Sequence, residues 1–146
     1  MTVIVSSDQR RAHETAVIIG DACGLEVTTT PELRERSFGS LEGQTQQTMD
    51  LADIGIVDGH IADIDRAVGG GESLSDVYGR VGRWADGFLS PDRTGDVVVV
   101  AHGGSIRMLH AYLNETPLIG MPWGEVPNAG ITIASPPRSL LSASPH

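Results

Sequence analysis

Along this chain the apolar positions change period within a few residues, most abruptly around Val97-Val98-Val99-Val100. That run gives way to Ala101-His102-Gly103-Gly104-Ser105 and then to Ile106, Leu109 and Leu113 at helical spacing. Four β-branched residues in a row favour extended backbone, and a run apolar on both sides suits a parallel strand covered by helices on both faces. The pattern therefore predicts strand, tight turn, helix. Gly103 and Gly104 permit positive φ and close approach, and Ser105 can cap. The free backbone N–H groups of the turn then point back toward His102 and form an anion-binding corner.

The same reading extends through the chain. Val3-Ile4-Val5 is a short buried strand, and a helix follows from about Gln9 to Ala22, ended by Gly24. Leu25 to Thr29 is β-branched enough for another strand, closed by Pro31, so the first thirty or so positions read as a βαβ unit. Ser73 with Asp76 forms a capping box, and Leu74, Val77, Val81, Trp84, Ala85 and Phe88 mark one helical face. A short helix is predicted near Gln46–Ala52, and Ile131-Thr132-Ile133-Ala134 is predicted as a last strand. These elements predict an α/β fold, a three-layer sandwich with a largely parallel central sheet and helices on both faces. A single domain is expected over 1–134, with 135–146 as a loose tail.

Composition narrows the partners. The chain of 146 residues carries a formal net charge of −9, which argues against nucleic acid or an anionic membrane as a main partner. All ten basic residues are Arg, and a few local arginines suffice to hold a small phosphate on an acidic protein. No segment approaches the roughly 20 apolar residues of a membrane span, and cytoplasmic localisation is expected. The single Cys23 reads as a small packing residue. The five histidines show no H-x-x-x-H spacing, so neither metal nor cofactor is expected.

Three places carry candidate chemistry. His102 falls beyond the carboxyl end of a strand, where open α/β sheets bind ligands. Arg10 and Arg11 stand in the first turn of a helix, where cations oppose the macrodipole unless an anion approaches. An i,i+4 pair with Glu14 accounts for Arg10 and leaves Arg11 as the functional candidate. Glu32 to Gly43 is an ordered loop with three carboxylates and two arginines among its residues, a composition that ordinarily marks a solvated surface. The Gly69-Gly70-Gly71 loop matches neither a dinucleotide fingerprint nor a P-loop.

The blocks Ser6-Ser7-Asp8-Gln9-Arg10-Arg11-Ala12-His13-Glu14-Thr15-Ala16, Leu33-Arg34-Glu35-Arg36-Ser37-Phe38-Gly39 with Glu42-Gly43, Gly70-Gly71-Glu72-Ser73, Ala101-His102-Gly103-Gly104 and Asn128-Ala129-Gly130-Ile131-Thr132 together resemble the histidine phosphatase superfamily, the phosphoglycerate-mutase-like proteins. The resemblance implies that Arg11 grips a phosphoryl group, Glu35 protonates the leaving oxygen, and His102 is the second active-site histidine on the phosphate, with Gly103 adding a backbone donor. It also implies a first strand ending in Arg-His-Gly, whose histidine is the phosphorylated nucleophile. No Arg-His-Gly occurs here. The expectation is a chain that begins at the family's second strand, whether as a fragment, a late start or a shortened paralogue. A small phosphorylated metabolite is the expected partner, with impaired hydrolysis of phosphomonoesters. A phosphoglycerate mutase and a non-catalytic phosphate-binding module are the alternatives. The unpaired sheet edge is expected to drive homo-oligomerisation or aggregation.

Overall fold

The computed structural model describes residues 1–43, 49–90 and 92–135. Its centre is a three-stranded parallel sheet in the order β2-β1-β5, formed by β1 (Val3–Ser7), β2 (Val27–Thr30) and β5 (Val97–Val100). The register sets Ile4 beside Val27 on one side and beside Val98 on the other. Successive side chains of a strand point to opposite faces, and β1 shows the consequence. Val5 belongs to the core with Leu33, Val77, Val81, Met108 and Leu109. Ile4 faces α1 (Arg10–Cys23), whose inner stripe is Ala12, Ala16 and Gly20. At Gly20 the helix lies so close to the sheet that a Cβ would stand 2.6 Å from the Leu25 carbonyl oxygen and 3.8 Å from Ile4 Cδ1.

The opposite face is covered by α2 (Leu74–Phe88) and α3 (Gly103–Leu113), which pack on each other. The expected helices on both faces of a parallel sheet are therefore present. Ser73 starts α2 through the reciprocal capping box with Asp76, at 3.1 and 2.9 Å. Leu74, Val77, Val81 and Ala85 are the buried positions of its predicted face, while Trp84 and Phe88 stack on each other at its edge with ring centroids 5.2 Å apart.

Three expectations are corrected. Ile131–Ala134 forms no strand: Ile131 and Ile133 are 92% and 89% exposed, because no described strand lies beside them to complete a ladder. Cys23 is exposed rather than packed, since the inner stripe of α1 advances in steps of four and ends at Gly20. The helix predicted near Gln46–Ala52 falls in part outside the described residues, and Leu51–Ile54 is a single 3-10 turn. An unpredicted hairpin follows it, β3 (Ile56–Val57) and β4 (His60–Ile61), turning through Asp58 and Gly59 with φ of 49° and 74°. Of the predicted tail, 135–146, all but Ser135 lies outside the described residues.

Candidate active site at the carboxyl edge of the sheet

Because β2, β1 and β5 are parallel, their carboxyl ends lie along one edge, and the segments that leave them deliver Glu35, Arg11 and His102 to the same place. After β2, Thr30 caps a 3-10 turn at Pro31–Leu33 and the chain reaches Glu35. The backbone N–H of Glu35 donates to Gln9 Oε1 at 3.0 Å, which ties this loop to the start of α1. After β1, Asp8 and Gln9 lead into α1 with Arg11 in its first turn. After β5, His102 is the residue that starts α3, and its own N–H donates to Ser105 Oγ at 3.2 Å.

The three side chains are brought together from separate parts of the sequence. Arg11 Nε donates to His102 Nδ1 at 3.2 Å. The other ring nitrogen, Nε2, lies 2.9 Å from the hydroxyl of Ser7, a fully buried residue. The carboxylate of Glu35 occupies the amino end of α3, accepting from Gly104 N and Ser105 N, each at 3.2 Å, and from Arg36 N at 2.9 Å. The corner expected to hold an external anion thus holds an internal carboxylate. Gly104 leaves room for that approach, since a Cβ there would stand 2.5 Å from Glu35 Oε1 and push the carboxylate aside, whereas a Cβ on Gly103 would meet nothing closer than 3.6 Å. Arg10, by contrast, pairs with Glu14 at 2.7 Å in the open. Ser105 stands inside the first turn of α3, which begins at His102 rather than at a serine cap.

His102 is 5% exposed, and its environment decides its charge. Burial pushes its pKa below the ordinary imidazole value; Glu35 and Asp8 oppose that shift, while Arg11 and Arg80 add to it. Asp8 is held below the usual carboxylate range chiefly by its hydrogen bond from Arg34, a two-pronged pair at 2.8 and 2.6 Å.

The loop carrying Glu35 is anchored by residues that sequence reading passed over. Arg36 is buried and donates to three carbonyl oxygens, Glu72 at 2.9 Å, Ile54 at 3.0 Å and Arg66 at 2.7 Å. Arg80 from α2 forks onto both oxygens of Glu72 at 2.9 Å and donates to the Glu32 and Arg34 carbonyls. The same Glu72 accepts from Ser37 N at 2.9 Å. The Gly69-Gly70-Gly71 loop packs so close to this segment that a Cβ on Gly71 would stand 2.2 Å from the Ser37 carbonyl oxygen. Gly69 and Gly71 serve backbone approach, whereas Gly70 has open space around it and a φ of 74°. Among the described residues no group of three His, Cys, Asp or Glu side chains could hold a metal ion, and no helix is long and apolar enough to cross a membrane.

A parallel α/β sheet with a strand-His-Gly-Gly-helix corner and an arginine from the adjoining strand's helix defines a class of open α/β proteins whose ligand crevice lies at the carboxyl edge of the sheet. The chain belongs to the histidine phosphatase superfamily (branch 1), whose model matches residues 1–139. It is 38% identical over 131 residues to the glucosyl-3-phosphoglycerate phosphatase of Mycobacterium tuberculosis, a match covering 82% of this chain and 57% of that protein. Phosphoglycerate mutase-like protein 4 of Arabidopsis thaliana is 38% identical over 111 residues, covering 73% and 48%. Among solved structures, mycobacterial glucosyl-3-phosphoglycerate phosphatase in complex with inorganic phosphate superimposes with a TM-score of 0.66 at 36% identity, covering 80% of this chain and 60% of that one. The chain spans a little over half the length of the curated phosphatases it matches.

Proposed function

We propose that this chain carries the phosphate-gripping part of a histidine phosphatase site for a small phosphomonoester, with Arg11 and His102 on the phosphoryl oxygens and Glu35 serving the leaving oxygen. The observation that carries this reading is the meeting of Arg11 Nε and His102 Nδ1 at 3.2 Å beside the amino end of α3. A guanidinium offers a planar pair of donors to phosphate, and a histidine held beside it adds a directional contact where charge develops. The phosphatases among the relatives support the substrate class. A phosphatase is favoured over a mutase because the only Arg between Gly43 and Gly69 is Arg66, which is engaged with Asp63 at 3.4 Å and the Ala52 carbonyl at 3.3 Å.

Hydrolysis moves the phosphoryl group from the substrate oxygen to a nucleophile while that oxygen gains a proton. His102 is poorly disposed as the nucleophile, since one ring nitrogen faces Ser7 and the other Arg11. The residues of this chain alone therefore bind phosphate and turn over phosphomonoesters slowly. Calorimetric titration with inorganic phosphate tests the reading. Arg11→Ala removes charge-assisted hydrogen bonds of about 1.5–3 kcal/mol, so affinity should fall by roughly tenfold or more. Equal affinity of the two proteins would remove Arg11 from the site, and a turnover rate typical of phosphatases that is abolished by His102→Ala would make His102 the nucleophile.

A further inference from the structure

The hydrogen bonds around His102 fix where its proton lies. An arginine Nε–H only donates, so Nδ1, 3.2 Å away, is an acceptor and carries no hydrogen. In the neutral ring the proton therefore sits on Nε2 and is donated to Ser7 Oγ at 2.9 Å. The same hydroxyl oxygen accepts the backbone N–H of Gln9 at 3.2 Å, so both of its lone pairs are used and its orientation is set by the turn between β1 and α1. Ser7 itself is completely buried.

Resting on the assignment of Arg11 and His102 to a phosphate, we propose that Ser7 is a positioning residue: it anchors Nε2–H of His102 so that Nδ1 is the nitrogen that meets the bound anion, and anion binding takes up one proton at Nδ1. The chemistry follows from the resting pair. An unprotonated Nδ1 directs a lone pair at an anionic oxygen, which repels; a protonated Nδ1 donates to it. When the anion arrives, Arg11 Nε leaves Nδ1 for the anion's oxygens, and Nδ1 takes one proton from solvent to become imidazolium. Nε2–H stays on Ser7 throughout.

The surrounding charges permit the change. Arg11 from α1 and Arg80 from α2 disfavour a charged ring, while Glu35 from the loop after β2 and Asp8 from the turn after β1 favour it. Burial adds to the arginines, so the free site holds the ring neutral in the physiological range. A dianion in contact reverses that balance. By linkage, anion affinity then rises as pH falls, by about tenfold per unit above the ring's pKa in the anion-free site and below its pKa with the anion bound.

Sulfate is the suitable probe, because it stays a dianion across the range in which phosphate itself titrates. Calorimetry of the full chain with sulfate, in buffers of different ionisation heat between about pH 6 and 8, should show uptake of one proton per anion and the pH slope just given. His102→Gln should abolish both. Ser7→Ala should weaken sulfate binding by roughly tenfold, on the scale of one hydrogen bond to a charged group, and reduce the proton uptake. Ser7→Thr, which keeps the hydroxyl, should restore them. Nitrogen-15 spectra of His102 in the unmodified chain should show the proton on Nε2, a readout that does not depend on any variant folding. Sulfate binding without proton uptake, a proton on Nδ1 in the free ring, or a Ser7→Ala protein that binds like Ser7→Thr would overturn this inference and leave the phosphate site standing. Absence of binding by both sulfate and phosphate would overturn the underlying assignment as well.

Discussion

At the scale of single residues, the contrast between Arg34 and Arg36 shows what a charge-dense stretch conceals. The two differ by two positions, yet Arg34 is exposed and paired with Asp8, while Arg36 is 5% exposed and serves three carbonyl oxygens from three separate segments. Burial pushes the Arg36 pKa down, opposed by Glu72, Glu35 and Asp76. Nothing local distinguishes the two, because the partners of Arg36 lie 18 to 36 residues away. His102 and Arg11 were legible because each broke a local rule: a polar residue at the end of a valine run, and a cation at a helix start. Glu35 was placed by resemblance, and its seat on Gly104 and Ser105 is a tertiary fact. Replacing Arg36 by Met removes the donors from three carbonyl groups, of which that of Ile54 is in a buried hydrogen bond and those of Glu72 and Arg66 are in part-buried ones. Each such loss costs about 1–3 kcal/mol, so the variant should lose roughly 3 kcal/mol or more in chemical denaturation and loosen the Glu35 loop. Arg36→Lys should fall between, since one ammonium cannot span three separate carbonyls. Wild-type stability in Arg36→Met would show that the guanidinium is not what joins these loops.

At the scale of elements, sequence was a good guide where a segment's own pattern decides its structure. The strand, turn and helix from Val97 to Leu113 and the capped start of α2 are such cases. It failed where pairing decides. Ile131–Ala134 has the alternation of a strand and remains irregular without a neighbour. The Asp58-Gly59 turn, between Ile56-Val57 and His60-Ile61, is the standard two-residue hairpin signal and could have been read. Packing of α2 on α3 offers a prediction with an informative sign. A Cβ on Gly82 would lie 2.6 Å from Tyr112 Cε2. The Tyr112 ring is held by Asp86 at 2.7 Å and by an edge-on contact with Tyr78 at 5.4 Å, and its hydroxyl pKa is raised to about 12, first by the Asp86 hydrogen bond. Alanine in a helix interior is worth about 1 kcal/mol over glycine, yet Gly82→Ala should destabilise the chain because the ring must give way. In a Tyr112→Ala background the same substitution should become stabilising by up to about 1 kcal/mol. Stabilisation by Gly82→Ala in the unmodified chain would refute the tight approach.

At the scale of the whole molecule, the sheet order β2-β1-β5 leaves one edge of β5 without a partner among the described residues. Unpaired N–H and C=O groups of an edge strand recruit other strands, and β5 lacks the charges or proline that usually discourage this. Its four valines are only half-buried, and the alternating segment Ile131-Thr132-Ile133 is almost fully exposed in the same chain. Full burial of an isoleucine side chain is worth about 1.5–3 kcal/mol, so two of them add to the ladder hydrogen bonds that an unpaired edge offers a second chain. The chain should therefore self-associate in a concentration-dependent way by sedimentation velocity. Replacing Ile131 and Ile133 by Ser should shift that equilibrium toward monomer without lowering the stability of the monomer, because neither side chain belongs to the core. Val99→Lys is the contrasting control: Val99 packs against the core, so it should lower stability as well as association. A monodisperse monomer at tens of micromolar, with the amides of Val97–Val100 protected from exchange on both sides of the strand, would show that the chain covers its own edge.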